Sequence, residues 1–211
     1  MKVCEIFSSI QGESSYAGLP CTFVRLTGCN LRCVYCDTRY AYEEGIDMSI
    51  EQIIKTVKGF GINTVEITGG EPLIQNETVT LIQGFFEEGF VVLLETNGSV
   101  SIEHIDSRTV IIMDIKTPSS MMSGSFNKKN LDYIKDTDEI KFVLMNREDY
   151  EWARDFIREN DLLNKCNVLF SPVFGVLSPR DLSQWIINDR LKIRLNLQLH
   201  KYIYDPALRG V

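Results

Sequence analysis

Histidine is almost missing from this chain: His104 and His200 are the only two in 211 residues, and neither lies near the cysteine-rich stretch that a zinc site would need to complete. No apolar run approaches the length of a membrane span, and the amino terminus MKVCEIFSSIQGES has neither the long apolar core nor the small-residue cleavage site of a signal peptide. No Lys/Arg block interrupts a chain whose formal net charge is −7, which removes the electrostatic footprint of a nucleic-acid binder. Repeats, low-complexity segments and Ser/Pro-rich linkers are also absent. These absences predict one soluble domain over residues 1–211, cytoplasmic, with a small-molecule substrate and no nucleic-acid or membrane partner.

What is present is cysteine in one place. Of the six cysteines, Cys29, Cys33 and Cys36 crowd one short stretch, GCNLRCVYCDTRY, while Cys4, Cys21 and Cys166 are scattered. That distribution argues against a disulfide framework and for a reduced compartment and a metal site. Apolar residues make up 44% of the chain, enough for a sizeable core.

Short β-branched runs recur at 22–26, 64–68, 90–95, 110–115, 139–144, 167–170 and 192–197, and read as strands. Helical patterns lie between several of them. Ser49 and Gln52 form a capping box ahead of Ile50, Ile53, Ile54 and Val57. A second helix is expected from Glu77 to Glu88, stopped by Gly89, and a third carries Tyr150, Trp152, Ala153, Phe156 and Ile157. A fourth begins at Ser178-Pro179 and runs through Ile187. Residues 117–130 read as a surface excursion. Alternating strands and helices predict a parallel sheet wound by crossovers. The polar, unusual segments all follow strands: the cysteine loop, GGEP, TNG, KTP, Ser171-Pro172 and Gln198. In parallel α/β architectures the carboxyl edge is where ligands bind.

Thiolates at Cys-x3-Cys-x2-Cys spacing can converge on one soft metal centre, since a short loop can turn three side chains inward. Structural zinc and saturated iron–sulfur sites want a fourth ligand, and none is local. A four-iron cluster on three thiolates would leave one iron open to a substrate or cofactor; structural zinc and unpaired buried thiols are the plainer alternatives.

With Tyr35 just before its last cysteine, the loop resembles the signature of the radical S-adenosylmethionine superfamily. The resemblance implies a 4Fe-4S cluster on Cys29, Cys33 and Cys36, whose free iron chelates S-adenosylmethionine, and an incomplete, TIM-like barrel of parallel strands with crossover helices. It places the cofactor against Tyr35, Cys36 and Asp37, against Gly70 and Glu71 of TGGEP, Asn97 of ETNG, Asp114, Ile115 and Lys116, and the segment Ser171, Pro172, Val173 and Phe174. A lone GGEP is ordinary turn punctuation; here it follows a strand, where glycines let the backbone approach a ligand.

The amino-terminal stretch EIFSSIQGESSYAGLPCTFVRLTGCN, the CDT after the last cysteine and the end QLHKYIYDP resemble the 7-carboxy-7-deazaguanine synthase family of queuosine biosynthesis. By that resemblance the substrate is 6-carboxy-5,6,7,8-tetrahydropterin, contacted by Ile10, Gln11, Gly12, Glu13, Arg25, Thr68 and His200. Thr38 binds Mg²⁺, an external donor such as flavodoxin supplies electrons, and the chain forms a homodimer. A guanidinium suits a carboxylate, and a carboxylate suits an amino-pyrimidine edge; as isolated residues, Arg25 would be a strand-surface charge and Glu13 a solvated acid. No side chain beyond the cofactor is assigned to catalysis. Two departures from the family stand out: Ser14 replaces its usual glycine after QGE, and ALRGV continues past Pro206. A glycyl-radical activase fits less well, lacking the QGE element. A non-catalytic metal-stabilised module leaves the GGEP station unexplained.

Overall fold

The computed structural model describes all of residues 1–211. In chain order its main elements are β1 (Lys2–Ile10), β2 (Pro20–Leu26), β3 (Ile46–Asp47), α1 (Ile50–Gly59), β4 (Thr64–Gly69), α2 (Thr78–Glu87), β5 (Val91–Thr96), β6 (Val110–Asp114), β7 (Glu139–Leu144), α3 (Arg147–Glu159), β8 (Asn167–Pro172), α4 (Pro179–Asn188), β9 (Arg194–Leu195) and α5 (His200–Ile203). The strands form one sheet in the order β3-β1-β2-β4-β5-β6-β7-β8-β9. From β2 to β9 every pairing is parallel; β1 runs antiparallel to both β2 and β3. The two ends do not meet, so the barrel is open.

Each strand is expressed as an alternation of faces. Val24 and Leu26, Val65 and Ile67, Val92 and Leu94, Ile111 and Met113, and Ile140, Phe142 and Leu144 point to one side and build the core with Ile53, Val57, Leu81, Ile82, Phe85, Tyr150, Ile157 and Leu182 from the helices. The intervening residues are polar or charged: Arg25, Glu66, Thr68, Glu95, Asp114 and Lys141 share the opposite face, because parallel register aligns Arg25 with Thr68, Glu95 with Ile112, and Asp114 with Lys141. One face is therefore sealed by helices and the other lines a cavity.

The helices start where the sequence places them. Ser49 accepts from the Gln52 backbone N–H while the Gln52 side chain accepts from Ser49 N–H, and Ser178 caps α4 by accepting from Asp181 N–H. Such caps are each worth about 1 kcal/mol. Gly89 ends α2 at φ 81°, a conformation that costs glycine nothing.

Three features differ from expectation. β1 and the short β3 have no counterpart among the expected strands, because β1 mixes Glu5, Ser8 and Ser9 with apolar residues and a bulge between Val3 and Glu5 breaks its period of two. The run expected at 192–197 narrows to the pair Arg194–Leu195. The excursion at 117–130 is anchored rather than superficial: it folds into short 3₁₀ turns, buries Ser120 and Asn130 completely, and replaces a crossover helix between β6 and β7. Asn130 Nδ2 donates to the carbonyls of Gly98 and Val100, and Ser120 O accepts from Val34 N–H in the cysteine loop. Ser14 adopts φ 64°, the left-handed turn that suits the glycine usual at this position.

Candidate active site

The charged face of the sheet and the loops at its carboxyl edge enclose a cavity of about 410 Å³. On one wall lie Cys29, Cys33 and Cys36, all free thiols. Burial pushes the Cys29 and Cys33 thiols above their ordinary value, with Lys116 opposing it at both. Binding a cluster there must therefore release protons. The loop is held by close backbone packing: a Cβ on Gly70 would lie 2.0 Å from Gly28 O and 2.7 Å from Cys29 Cβ. No three Cys, His, Asp or Glu side chains converge on a point that a single ion could occupy. A lone zinc needs its sulfur donors about 2.3 Å from one centre, whereas a cubane takes each thiolate on a separate iron, so this donor set fits a cluster.

Arg25 on β2 lines the same cavity. Its Nε donates to Glu5 Oε1 at 2.8 Å, and neither Nη nitrogen has a protein acceptor. Five acids and three lysines line the cavity too: Glu13, Asp37, Glu66, Glu95 and Asp114, with Lys116, Lys141 and Lys201. Lys141 Nζ donates to Glu13 Oε2 at 2.7 Å and to Glu95, with Asp114 Oδ2 at 3.7 Å. Burial raises the Glu95 carboxyl, but the Lys141 charge and hydrogen bond outweigh it and bring it down to about 2. Glu66, fully buried and bonded by Gln11 Nε2, is driven well above the usual carboxylate range, first by burial and then by Glu95. Lys116 pairs with Asp114 Oδ2 at 2.8 Å, while Asp114 Oδ1 is buried with no partner. An orphaned acceptor on a cavity wall is a place for a ligand's hydroxyl or amine.

The structure brings most of the sequence-derived residues to this cavity: Ile10, Gln11, Gly12, Glu13, Arg25, Thr68 and His200, then Tyr35, Asp37, Thr38, Gly70, Asn97, Asp114, Lys116, Val173 and Phe174. Gly12 is needed for His200, whose Nδ1 would lie 2.0 Å from a Cβ added there. Burial lowers the His200 pKa and favours its neutral form. The Asp37 side chain is also engaged: its Oδ2 accepts from Lys201 Nζ at 2.5 Å and its Oδ1 from the Thr38 hydroxyl at 3.0 Å.

Four expected contacts lie off the cavity wall. The Glu71 carboxylate points inward and accepts from Leu73 N–H, the Thr96 hydroxyl and Asn97 N–H, so it braces the neighbouring loop. Ile115 is fully buried in the helix-side core. Ser171 Oγ is occupied by Asn196 Nδ2 at 2.8 Å, and Pro172 lines a small adjoining cleft. Conversely, Glu66 and Lys141 were not singled out from the sequence. Their signal is charge inside a strand of mainly β-branched and apolar residues, Glu66 in TVEIT and Lys141 beside Glu139 in EIKFVL, where solvent cannot be the explanation.

Residues 23–119 match the family model of the Radical SAM superfamily. The chain is 46% identical to a 7-carboxy-7-deazaguanine synthase of Chlorobaculum tepidum, covering 100% of this chain and 97% of that one. It is 44% identical to the one of Koribacter versatilis, over 100% of both. The fold matches the crystal structure of QueE from Escherichia coli with a TM-score of 0.79 at 23% identity, over 94% of each chain. Full-length similarity of this degree, on a cavity that joins three free thiols to an unsatisfied guanidinium, leaves one assignment: the chain belongs to the 7-carboxy-7-deazaguanine synthase family of the radical SAM superfamily.

Proposed function

We propose that this enzyme, a lyase of the radical SAM type, converts 6-carboxy-5,6,7,8-tetrahydropterin into 7-carboxy-7-deazaguanine with loss of ammonia, in queuosine and deazapurine biosynthesis. One observation carries the reading. The same cavity holds a cysteine loop fit for a cluster, Arg25 with both Nη groups free, and carboxylates pinned by Lys141. When bound, the 4Fe-4S cluster and S-adenosylmethionine supply the one-electron chemistry that removes hydrogen from substrate C6.

The chain's own residues orient and shield. Because Glu5 occupies the Nε edge of Arg25, the substrate carboxylate is taken end-on by the two Nη groups. Glu13 and Glu95, both bonded by Lys141, present acceptors to the amino-pyrimidine edge, and the Thr68 hydroxyl, donating to Glu95 Oε2 at 3.0 Å, fixes that carboxylate. Neutral His200 and the backbone at Ile10, Gln11 and Gly12 close the side of the ring. Asp114, with its open Oδ1, Lys116, Asn97 and Gly70 line the cofactor end. Mg²⁺ would be held by the Thr38 hydroxyl, a hard oxygen donor on the cavity wall, and would supply positive charge for the substrate carboxylate. Holding the carboxylate while the ring carbon skeleton moves is the positioning work expected of such a site.

The chain acts as one domain and as a homodimer in the cytoplasm, reduced by an external donor such as a flavodoxin. No helix is long and apolar enough to cross a membrane. The deciding experiment is anaerobic reconstitution followed by turnover with the carboxylated pterin, S-adenosylmethionine and reductant, read by product mass. A product shorter by ammonia supports the reading. A brown, cluster-loaded protein that cleaves S-adenosylmethionine yet never consumes this pterin removes it and leaves the superfamily assignment standing.

A further inference from the structure

The five residues after Pro206 are not a loose tail. Arg209 lays its guanidinium 3.7 Å from the centroid of the Tyr40 ring and donates from Nη1 to Glu44 Oε2 at 2.9 Å. Gly210, at φ 70°, then passes Phe7 and Glu5, and Val211 joins Pro206 on the cavity wall. Underneath, the Tyr40 hydroxyl donates to Glu5 Oε1 at 2.8 Å, the oxygen that also accepts from Arg25 Nε at 2.8 Å.

This connectivity has a mechanical consequence. A free Glu5 carboxylate has two ways to pair with Arg25: on the Nε edge, as observed, or around the Nη edge, where it would compete with a bound carboxylate. The Tyr40 hydroxyl holds Glu5 on the Nε edge. Tyr40 is in turn covered on its face by Arg209, and a cation–π contact of this kind fixes the ring without using its hydroxyl.

We infer that Arg209 is a positioning residue for the substrate carboxylate, acting through Tyr40 and Glu5 on Arg25, and that the segment after Pro206 is thereby a working part of the substrate site. The inference rests on the proposed role of Arg25 as the carboxylate grip. It concerns specificity rather than chemistry: the relay tunes how well the cavity tells a carboxylated pterin from one without the carboxylate.

The test uses the cluster-loaded protein with S-adenosylmethionine and no reductant, so that binding is measured without turnover. Wild type, Arg209→Ala, Arg209→Lys and Tyr40→Phe are each titrated with 6-carboxy-5,6,7,8-tetrahydropterin and with tetrahydropterin lacking the carboxylate. Arg209→Ala is expected to weaken the carboxylated ligand about three- to tenfold, the range open to one cation–π contact and one exposed ion pair, and to leave the other ligand unchanged. Tyr40→Phe moves the same way, and Arg209→Lys recovers part of the loss. In turnover the loss appears in KM more than in kcat. Equal weakening of both ligands, or no change in either, overturns the relay. A wild-type protein that binds both pterins equally well instead overturns the Arg25 grip on which the relay depends.

Discussion

Lys141 Nζ lies 2.7 Å from Glu13 Oε2, joining residues 128 positions apart in the sequence and drawn from the amino-terminal loop and the seventh strand. The side chain of Lys141 is only 4% exposed. A buried ammonium is costly alone, and here it is surrounded by Glu13, Glu95 and Asp114, which hold its pKa well above the usual lysine value against the opposing effect of burial. The lysine is thus a fixed positive centre that aims two cavity carboxylates and keeps Glu95 charged.

Replacing Lys141 by Met removes that centre while keeping much of the volume. Glu13 and Glu95 are then left without their cation, while Asp114 keeps Lys116, and breaking a buried pair in this way costs about 3–5 kcal/mol. Urea denaturation of the Lys141→Met variant is expected to show a loss of that size. The Glu95 carboxyl, no longer drawn down to about 2, rises, and binding of the carboxylated pterin weakens more than tenfold by titration. Unchanged stability and binding would contradict the role given to Lys141.

Glu66 makes the opposite electrostatic case. Its pKa is raised well above 4.5, by burial first and the Glu95 charge second. Above the ordinary value the unfolded chain gives up this proton while the folded chain retains it. Stability therefore falls as pH rises from about 4.5 toward the folded pKa, with a slope of up to about 1.4 kcal/mol per pH unit. Glu66→Gln keeps an acceptor for Gln11 and cannot ionise. Compared by denaturant midpoint, variant and wild type should agree near pH 4 and diverge in favour of the variant toward about pH 7. A difference that stays constant across that span would show that Glu66 does not carry the slope.

Much of this was legible in sequence where one residue determines one local outcome. Ser49 with Gln52 and Ser178 with Pro179 specify helix starts through their own side chains, and β-branched runs between them specify strands. The cysteine spacing likewise marked a loop able to turn three thiolates inward, and the resemblance to the radical S-adenosylmethionine signature, not the spacing alone, implied a cluster there. What escaped depends on partners remote in sequence. The strand character of β1 is decided by its antiparallel pairing with β2, not by its broken alternation. Glu71 reads as a cavity residue from its motif, yet the donors of Leu73, Thr96 and Asn97 turn its carboxylate inward. The excursion at 117–130 looks superficial from its Ser, Gly and Asn content, and only the carbonyls of Gly98 and Val100 show why Asn130 must be buried.

That last relationship is itself testable. Asn130 is fully buried, donates through Nδ2 to Gly98 O at 3.0 Å and Val100 O at 2.9 Å, and accepts from Ile102 N–H at 3.2 Å. Asn130→Ala strands Val100 O and Ile102 N–H, each costing about 1–3 kcal/mol when left unsatisfied, while Gly98 O keeps its bond from Asn127 N–H. A loss of about 2–4 kcal/mol is expected by denaturation. Because Ser120 in the same segment accepts from Val34 N–H, hydrogen exchange at Val34 should quicken as well. Protection at Val34 identical to wild type would separate the excursion from the cysteine loop.

Gly70 puts the packing of the cysteine loop to a sharper trial. A Cβ there would sit 2.0 Å from Gly28 O, 2.5 Å from Gly28 C and 2.7 Å from Cys29 Cβ. Two of those atoms are backbone, so the overlap cannot be relieved by a side-chain rotation, and the loop bearing the first thiol must move. Glu71 N–H donates to Gly28 O at 2.8 Å, so the same shift strains the hydrogen bond that ties the GGEP segment to the loop. Gly70→Ala should therefore fold, since the helix-side core is untouched, but incorporate well under half the wild-type iron and sulfide after anaerobic reconstitution. Far-ultraviolet circular dichroism checks the first part and metal analysis the second. Full iron loading in a folded Gly70→Ala protein would mean that the loop tolerates displacement and that close backbone packing is not what sets the position of Cys29.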